Sequence, residues 1–309
     1  YQERSSNNPL RRGIRAVGSA MRTIVFALLQ IWKPILFIMG LILIISFAIT
    51  WLASIIGLFF GFPFLNYLLP GTTDLAASIF SINVLFVIGI PLIALVLLTL
   101  RLFMRAHIKP VWSVGLWIFF AINLLGIVFQ GVQTGRQFEF TADVPAATKA
   151  WVPEGDTLSI QLSDIPREER WSQMGDDLYL SNGFLVSEHI DLFIRPSDDG
   201  DFRLEQKNYS RGGGREQAAE LAQSINADFE LKESKLVLPG HFKLTEGEKW
   251  RSQKVNYHLY IPVGKKIFYE NNARTYIHPM SLSNALKKTG KLSGQQVLEM
   301  SEEGLMAVK

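Results

Sequence analysis

From Pro34 to Phe60 the chain reads PILFIMGLILIISFAITWLASIIGLFF, without a single charge. At 1.5 Å per residue a bilayer core takes roughly 20 such residues, so this segment predicts a first membrane span. Ser81 to Met104 predicts a second, with Arg101 near its end where the side chain reaches headgroups by snorkelling. Val111 to Gly131 predicts a third, with Trp112 and Trp117 near its start, where an indole suits the lipid–water boundary. Upstream, Asn8 followed by Pro9 is a helix start signal. Leu10, Ile14, Val17 and Met21 then recur on one face while Arg11, Arg12, Arg15 and Arg22 occupy others. That spacing predicts an amphipathic helix within residues 1–33 lying in the headgroup layer, with the four arginines contacting lipid headgroups.

Beyond Gly131 the apolar period shortens from helical to alternating. FEFTADV, DTLSIQL, DLYLSN, HIDLFIRP, FRLEQKNYS, ADFELKE, KLVLPG, VNYHLYIP and KIFYE read as strands. Turn signals at Pro153 to Asp156, Asp198 to Asp201, Pro262 to Gly264 and Asn271 to Asn272 separate them. One segment departs from the pattern: Glu216 to Ile225, with Arg215 before it, is a short amphipathic helix following Gly212, Gly213 and Gly214. The expected fold is a membrane α-helical anchor of three transmembrane helices plus the N-terminal amphipathic helix, followed by a mostly β, mostly antiparallel exported domain with one short helix. The divisions fall at residues 1–33, 34–131 (spans 34–60, 81–104 and 111–131) and 132–309.

Charge sets the orientation. Arg11, Arg12, Arg15, Arg22 and Lys33 precede the first span, and Arg101, Arg105 and Lys109 lie between the second and third. The connection FPFLNYLLPGTTDLAAS has no Lys or Arg. Positive residues stay cytoplasmic, so the N-terminus is expected inside and residues 132–309 outside. The net charge of +3 is small and its basic residues flank apolar segments, which favours membrane lipids as partners over nucleic acid. There are no cysteines, which removes disulfides, thiolate metal sites and cysteine nucleophiles. No ionisable residue sits at the centre of a span, which argues against a transporter or pump. Pro91, beside Gly89 in the second span, is a possible hinge or a packing kink.

The candidate chemistry is sparse. The three glycines before the short helix lack the Walker pattern and the dinucleotide spacing, and read as a flexible loop and helix start. Asp198, Asp199, Gly200 and Asp201 resemble part of a calcium loop without its closing glutamate, and read as a hairpin turn. His189, His241, His258 and His278 have no metal-ligand spacing, and Ser181 and Ser210 lack a nucleophile elbow. No catalytic, cofactor-binding or metal residue is assigned, and no cofactor is expected. Asn208, Tyr209 and Ser210 form a sequon that reads as incidental.

Gly214 through Ala219, then FELKESKLVLPGHFKLTEGEKWRSQKVNYHLYIPVGKKIFYE, and finally VLEMSEEGL carry a resemblance to PspC-domain membrane proteins of Bacteroidetes-type bacteria. TEGEKWRSQKVNYHLYIPVGK is the most specific part of that resemblance. It implies an exported stacked-β region of the kind called a toastrack behind several membrane helices, in the bacterial inner membrane with the C-terminal domain periplasmic. The glycine-rich PspC signature is not visible here, and since the chain begins at Tyr1 rather than Met it is expected upstream. The implied role is envelope-stress regulation or scaffolding through envelope or peripheral membrane proteins and lipids, with self-association possible and no catalysis. The alternative is a structural subunit of a larger envelope complex. An envelope hydrolase is a third reading.

Overall fold

The computed structural model describes residues 9–71, 74–103, 109–163, 170, 172–175, 177–245, 247–289 and 296–308. Side chains are described from Trp32 onward within these, apart from Lys33, Phe103, Ser172, Asn271, Asn272 and Thr289. The chain divides into two compact units, Tyr1–Phe60 with Ile79–Val128, and Gly61–Ser78 with Phe129–Lys309.

Among the described residues three helices are long and apolar enough to cross a membrane: Pro34–Leu68, Leu75–Leu102 and Pro110–Arg136. They belong to α1 (Pro9–Leu68), α2 (Leu75–Phe103) and α3 (Pro110–Arg136). Each runs further than hydropathy alone marks it. The amphipathic segment and the first span are one uninterrupted helix, and the expected loop after Phe60 is still helical as far as Leu68. That extension survives because its side chains and terminal carbonyls find partners in the second unit, as described below.

Within the first unit the polar side chains spend their hydrogen bonds locally, as a lipid environment demands. Thr50, Ser54 and Thr99 donate to the carbonyls of Ser46, Thr50 and Leu95 one turn back, and Asn123, 5% exposed, donates to Phe119 O at 2.8 Å. Trp51 Nε1 reaches across from α1 to Leu85 O of α2 at 3.1 Å. Small residues let the helices approach: a Cβ on Gly89 would stand 3.0 Å from Trp51 Nε1, and one on Gly126 would stand 2.6 Å from Asn83 Nδ2.

Among the described residues the second unit is built on three sheets. The first runs β1 (Phe140–Trp151), β7 (Phe202–Gly212), β11 (Lys254–Ile261) and β6 (Ile190–Pro196) in that spatial order. The second runs β14 (Gly304–Ala307), β13 (Gln296–Ser301), β12 (Lys266–Tyr269), β2 (Thr157–Ser163), β9 (Lys235–Pro239) and β8 (Glu230–Lys232). The third is β10 (Phe242–Lys243), β5 (Phe184–Ser187), β4 (Leu178–Ser181) and β3 (Ser172–Met174). Strict alternation in β7 and β11 buries Phe202, Leu204, Val255, Tyr257, Leu259 and Ile261 on one face. These join Leu158, Ile160, Leu236, Ile267 and Leu298 of the second sheet in one core, which also takes Phe64 from α1.

The pairing is mostly antiparallel, but β6 with β11, β2 with β12 and β2 with β9 are parallel. One consequence corrects a sequence expectation. The Asp198–Asp201 segment is not the turn of a hairpin, because β11 lies between β6 and β7. It is a crossing turn, with Gly200 at φ +80 and Asp199 bound by Arg203 at 2.7 Å.

The expected short helix is α4 (Arg215–Gln223), and a further short helix, α5 (Asn284–Thr289), lies near the C-terminus. The glycines before α4 provide close packing: a Cβ on Gly212 would lie 2.7 Å from Ala218 N. Gly213 N–H donates to Gln217 Oε1 at 2.8 Å, which closes the helix start in the manner of a capping box. The sequon asparagine, Asn208, is 1% exposed and donates to Ile225 O, so it belongs to the interior.

Candidate functional site

A helix ends with four backbone carbonyls that have no intrahelical partner. At the end of α1 every one of them is accounted for. Leu65 O accepts from Leu69 N–H at 2.9 Å. Asn66 O accepts from Lys249 Nζ, Tyr67 O from Trp250 N–H at 2.9 Å, and Leu68 O from Arg251 Nη1 at 3.0 Å. Three consecutive residues of a β-domain loop thus cap three consecutive carbonyls of a membrane helix. Two of the three bring positive charge to a helix C-terminus, where the macrodipole presents roughly half a negative charge.

The loop is itself tightly held. Gln253 Nε2 donates to Lys249 O at 2.9 Å while its Oε1 accepts from Arg251 N–H at 2.6 Å. Arg211 N–H at the end of β7 donates to Arg251 O at 2.8 Å. Ser252 adopts a left-handed φ of +54 that a non-glycine residue rarely takes. From there the chain passes directly into β11.

Arg251 is 2% exposed, and among the described residues no carboxylate lies within ion-pairing distance of it. Its charge faces carbonyl oxygens and the ring of Phe138, 5.1 Å away. Burial pulls its pKa down to about 10. Burial also lowers Lys249, with the charge of Arg251 adding to the effect and Asp74 opposing it. Around this centre, Phe138 packs on Trp250 at 5.9 Å, Tyr67 OH donates to Gly183 O at 2.8 Å, and Asn66 Nδ2 donates to Asp74 Oδ1 at 2.9 Å. Gln130 Nε2 in α3 donates to Ala76 O in α2 at 3.0 Å. The segments where all three spans leave or enter the first unit are therefore tied together inside the second.

Arg11, Arg12, Arg15 and Arg22 lie on the backbone of α1, and their side chains fall outside the described residues. Pro91 sits inside α2, far along the chain from the α1 cap. Sequence reasoning missed Lys249, Trp250, Arg251, Gln253, Phe138 and Tyr67. A signal was available, since the Lys-Trp-Arg triplet lies inside the segment carrying the most specific family resemblance. Among the described residues no group of three or more His, Asp or Glu is placed to hold a metal. His258 and His278 instead sandwich Phe193, at ring separations of 4.9 and 4.3 Å.

Comparison with known families follows the two units. The family described as the PspC transmembrane region matches residues 1–138. The family described as the ToastRack found in some PspC matches residues 179–307. The chain is a PspC-like membrane protein with a toast-rack C-terminal region. Searches against curated proteins and against solved structures return no match. In this PspC-like protein the α1 end at Asn66–Leu68 lies in the transmembrane match, while its caps at Lys249–Arg251 lie in the toast-rack match.

Proposed function

We propose that this PspC-like protein is an envelope-stress regulator or scaffold of the bacterial inner membrane, non-catalytic, acting through protein and lipid contacts. Its basic N-terminal side faces the cytoplasm and its toast-rack region faces the periplasm. The observation that supports this reading best is the capping of the last three carbonyls of α1 by Lys249, Trp250 and Arg251. A domain that only needed anchoring could hang from a loose linker. Here a buried arginine and a strained serine are devoted to fixing the helix end instead.

The experiment is a native pull-down of the tagged protein from gently solubilised membranes before and after envelope stress, with partners identified by mass spectrometry. A partner set that changes with stress is expected. An unchanged set in fixed stoichiometry would instead identify a structural subunit of a standing complex. Reporter fusions at Lys309 and within 104–108 test the orientation, with periplasmic activity expected only at Lys309.

A further inference from the structure

Between α2 and α3 the first unit contains a narrow slot of about 240 Å³. Ala94, Leu98, Leu116 and Phe120 give it apolar walls, and Pro91 and Ala94 leave it open because they put little side-chain volume there. Arg101, exposed at the end of α2, and Ser113, in the first turn of α3, also line it, as does Trp117, which is 65% exposed. Among the described residues Arg101 has no ion-pair partner. From Pro91 to Arg101 the helix rises about 15 Å, at 1.5 Å per residue. That is half of the roughly 30 Å hydrocarbon core, the depth of one leaflet.

From this we infer that the α2–α3 slot is a binding site for one anionic phospholipid, its acyl chain lying along Ala94 and Leu98 and its phosphate meeting Arg101. The charge is complementary, since Arg101 is the one charged residue of a lining that is otherwise apolar but for the Ser113 hydroxyl and the Trp117 indole N–H. A basic pocket between membrane helices is the arrangement that recognises acidic headgroups. Trp117, exposed in the same lining, offers an indole of the kind that suits a lipid's polar–apolar boundary. This site is separate from the arginines of the N-terminal segment, and it gives Pro91 a role as part of a wall.

The test is native mass spectrometry of the full chain released from vesicles of equal phosphatidylglycerol and phosphatidylcholine. The wild type is expected to retain one phosphatidylglycerol over phosphatidylcholine by about fivefold, which corresponds to ~1 kcal/mol per basic contact. R101Q should abolish that preference, and A94W, which fills the slot, should lose the retained lipid. A variant with Gln at positions 11, 12, 15 and 22 should keep the preference. Equal retention of the two lipids by the wild type, or an undiminished preference in R101Q, overturns the proposal. So does a preference lost only in the four-site N-terminal variant. Arg101 is exposed, so R101Q decides the matter even if A94W does not assemble.

Discussion

Replacing Arg251 with Met tests whether the α1 cap is energetically real. The methionine keeps most of the apolar stem and removes the guanidinium, so the change isolates the charge and its donors. Leu68 O and Trp250 O each lose a partner, at 3.0 and 2.6 Å. A buried carbonyl left unpaired costs about 1–3 kcal/mol, so the two together cost ~2–6 kcal/mol. Removing a buried cation that has no carboxylate partner relieves a desolvation cost that already shows in its lowered pKa. The net expectation is therefore near the lower end, about 2–3 kcal/mol. For a unit of this size each kcal/mol moves the midpoint by about 2–4 °C, so a fall of roughly 4–12 °C is expected. The measurement is thermal unfolding of the detergent-solubilised full chain, followed by near-UV circular dichroism. Limited proteolysis should also show faster cleavage near Leu69–Asp74. A variant as stable as the wild type, with unchanged cleavage, would mean that water caps these carbonyls equally well and the coupling argument fails.

Tyr67→Phe removes the hydroxyl that donates to Gly183 O and should cost about 1 kcal/mol in the same melt, with no change in fold. Gly212→Ala places a methyl 2.7 Å from Ala218 N and should destabilise the β unit by about 1–3 kcal/mol, because the backbone of α4 has to shift. His258 has a pKa lowered by burial first, then by Arg195 and Lys207, with Glu205 and Asp143 opposing. The unfolded chain therefore takes up a proton near the ordinary histidine pKa before the folded chain does, and stability falls as the pH drops below about 6.5. Unfolding midpoints measured from pH 7.5 to 5 should decline less in His258→Gln, and an identical slope would exclude this residue as the source.

Much of the fold is legible in the sequence because two strong periodicities carry it. The spans announce themselves by uncharged length, and β2, β6, β7, β9, β11 and β12 by alternation around Val, Ile, Leu and Tyr. The strands that escaped notice are short or composed of ordinary residues, such as β10 with two residues and β3 with three. The parallel pairing of β6 with β11 is invisible locally, since alternation looks the same in either direction. The extension of α1 to Leu68 was hidden for a different reason. Helix ends are read from local caps, and here the caps lie far downstream. Arg251 reads as an exposed loop residue until its partners in α1 are known, so the candidate site could be found only in three dimensions.

That distance along the chain also has a consequence for biogenesis. Arg251 and its acceptor on Leu68 are 183 residues apart. At about 5–20 residues per second, synthesis of the intervening chain takes on the order of 10–40 s. The second and third spans are made in the first part of that interval, and until it ends the end of α1 has carbonyls with no protein partner. Insertion of the spans therefore precedes closure of the cap, and the toast-rack region completes the membrane half last. Any nascent chain released before Lys249 would carry an inserted but unfinished anchor, recognisable to a protease by its open helix end.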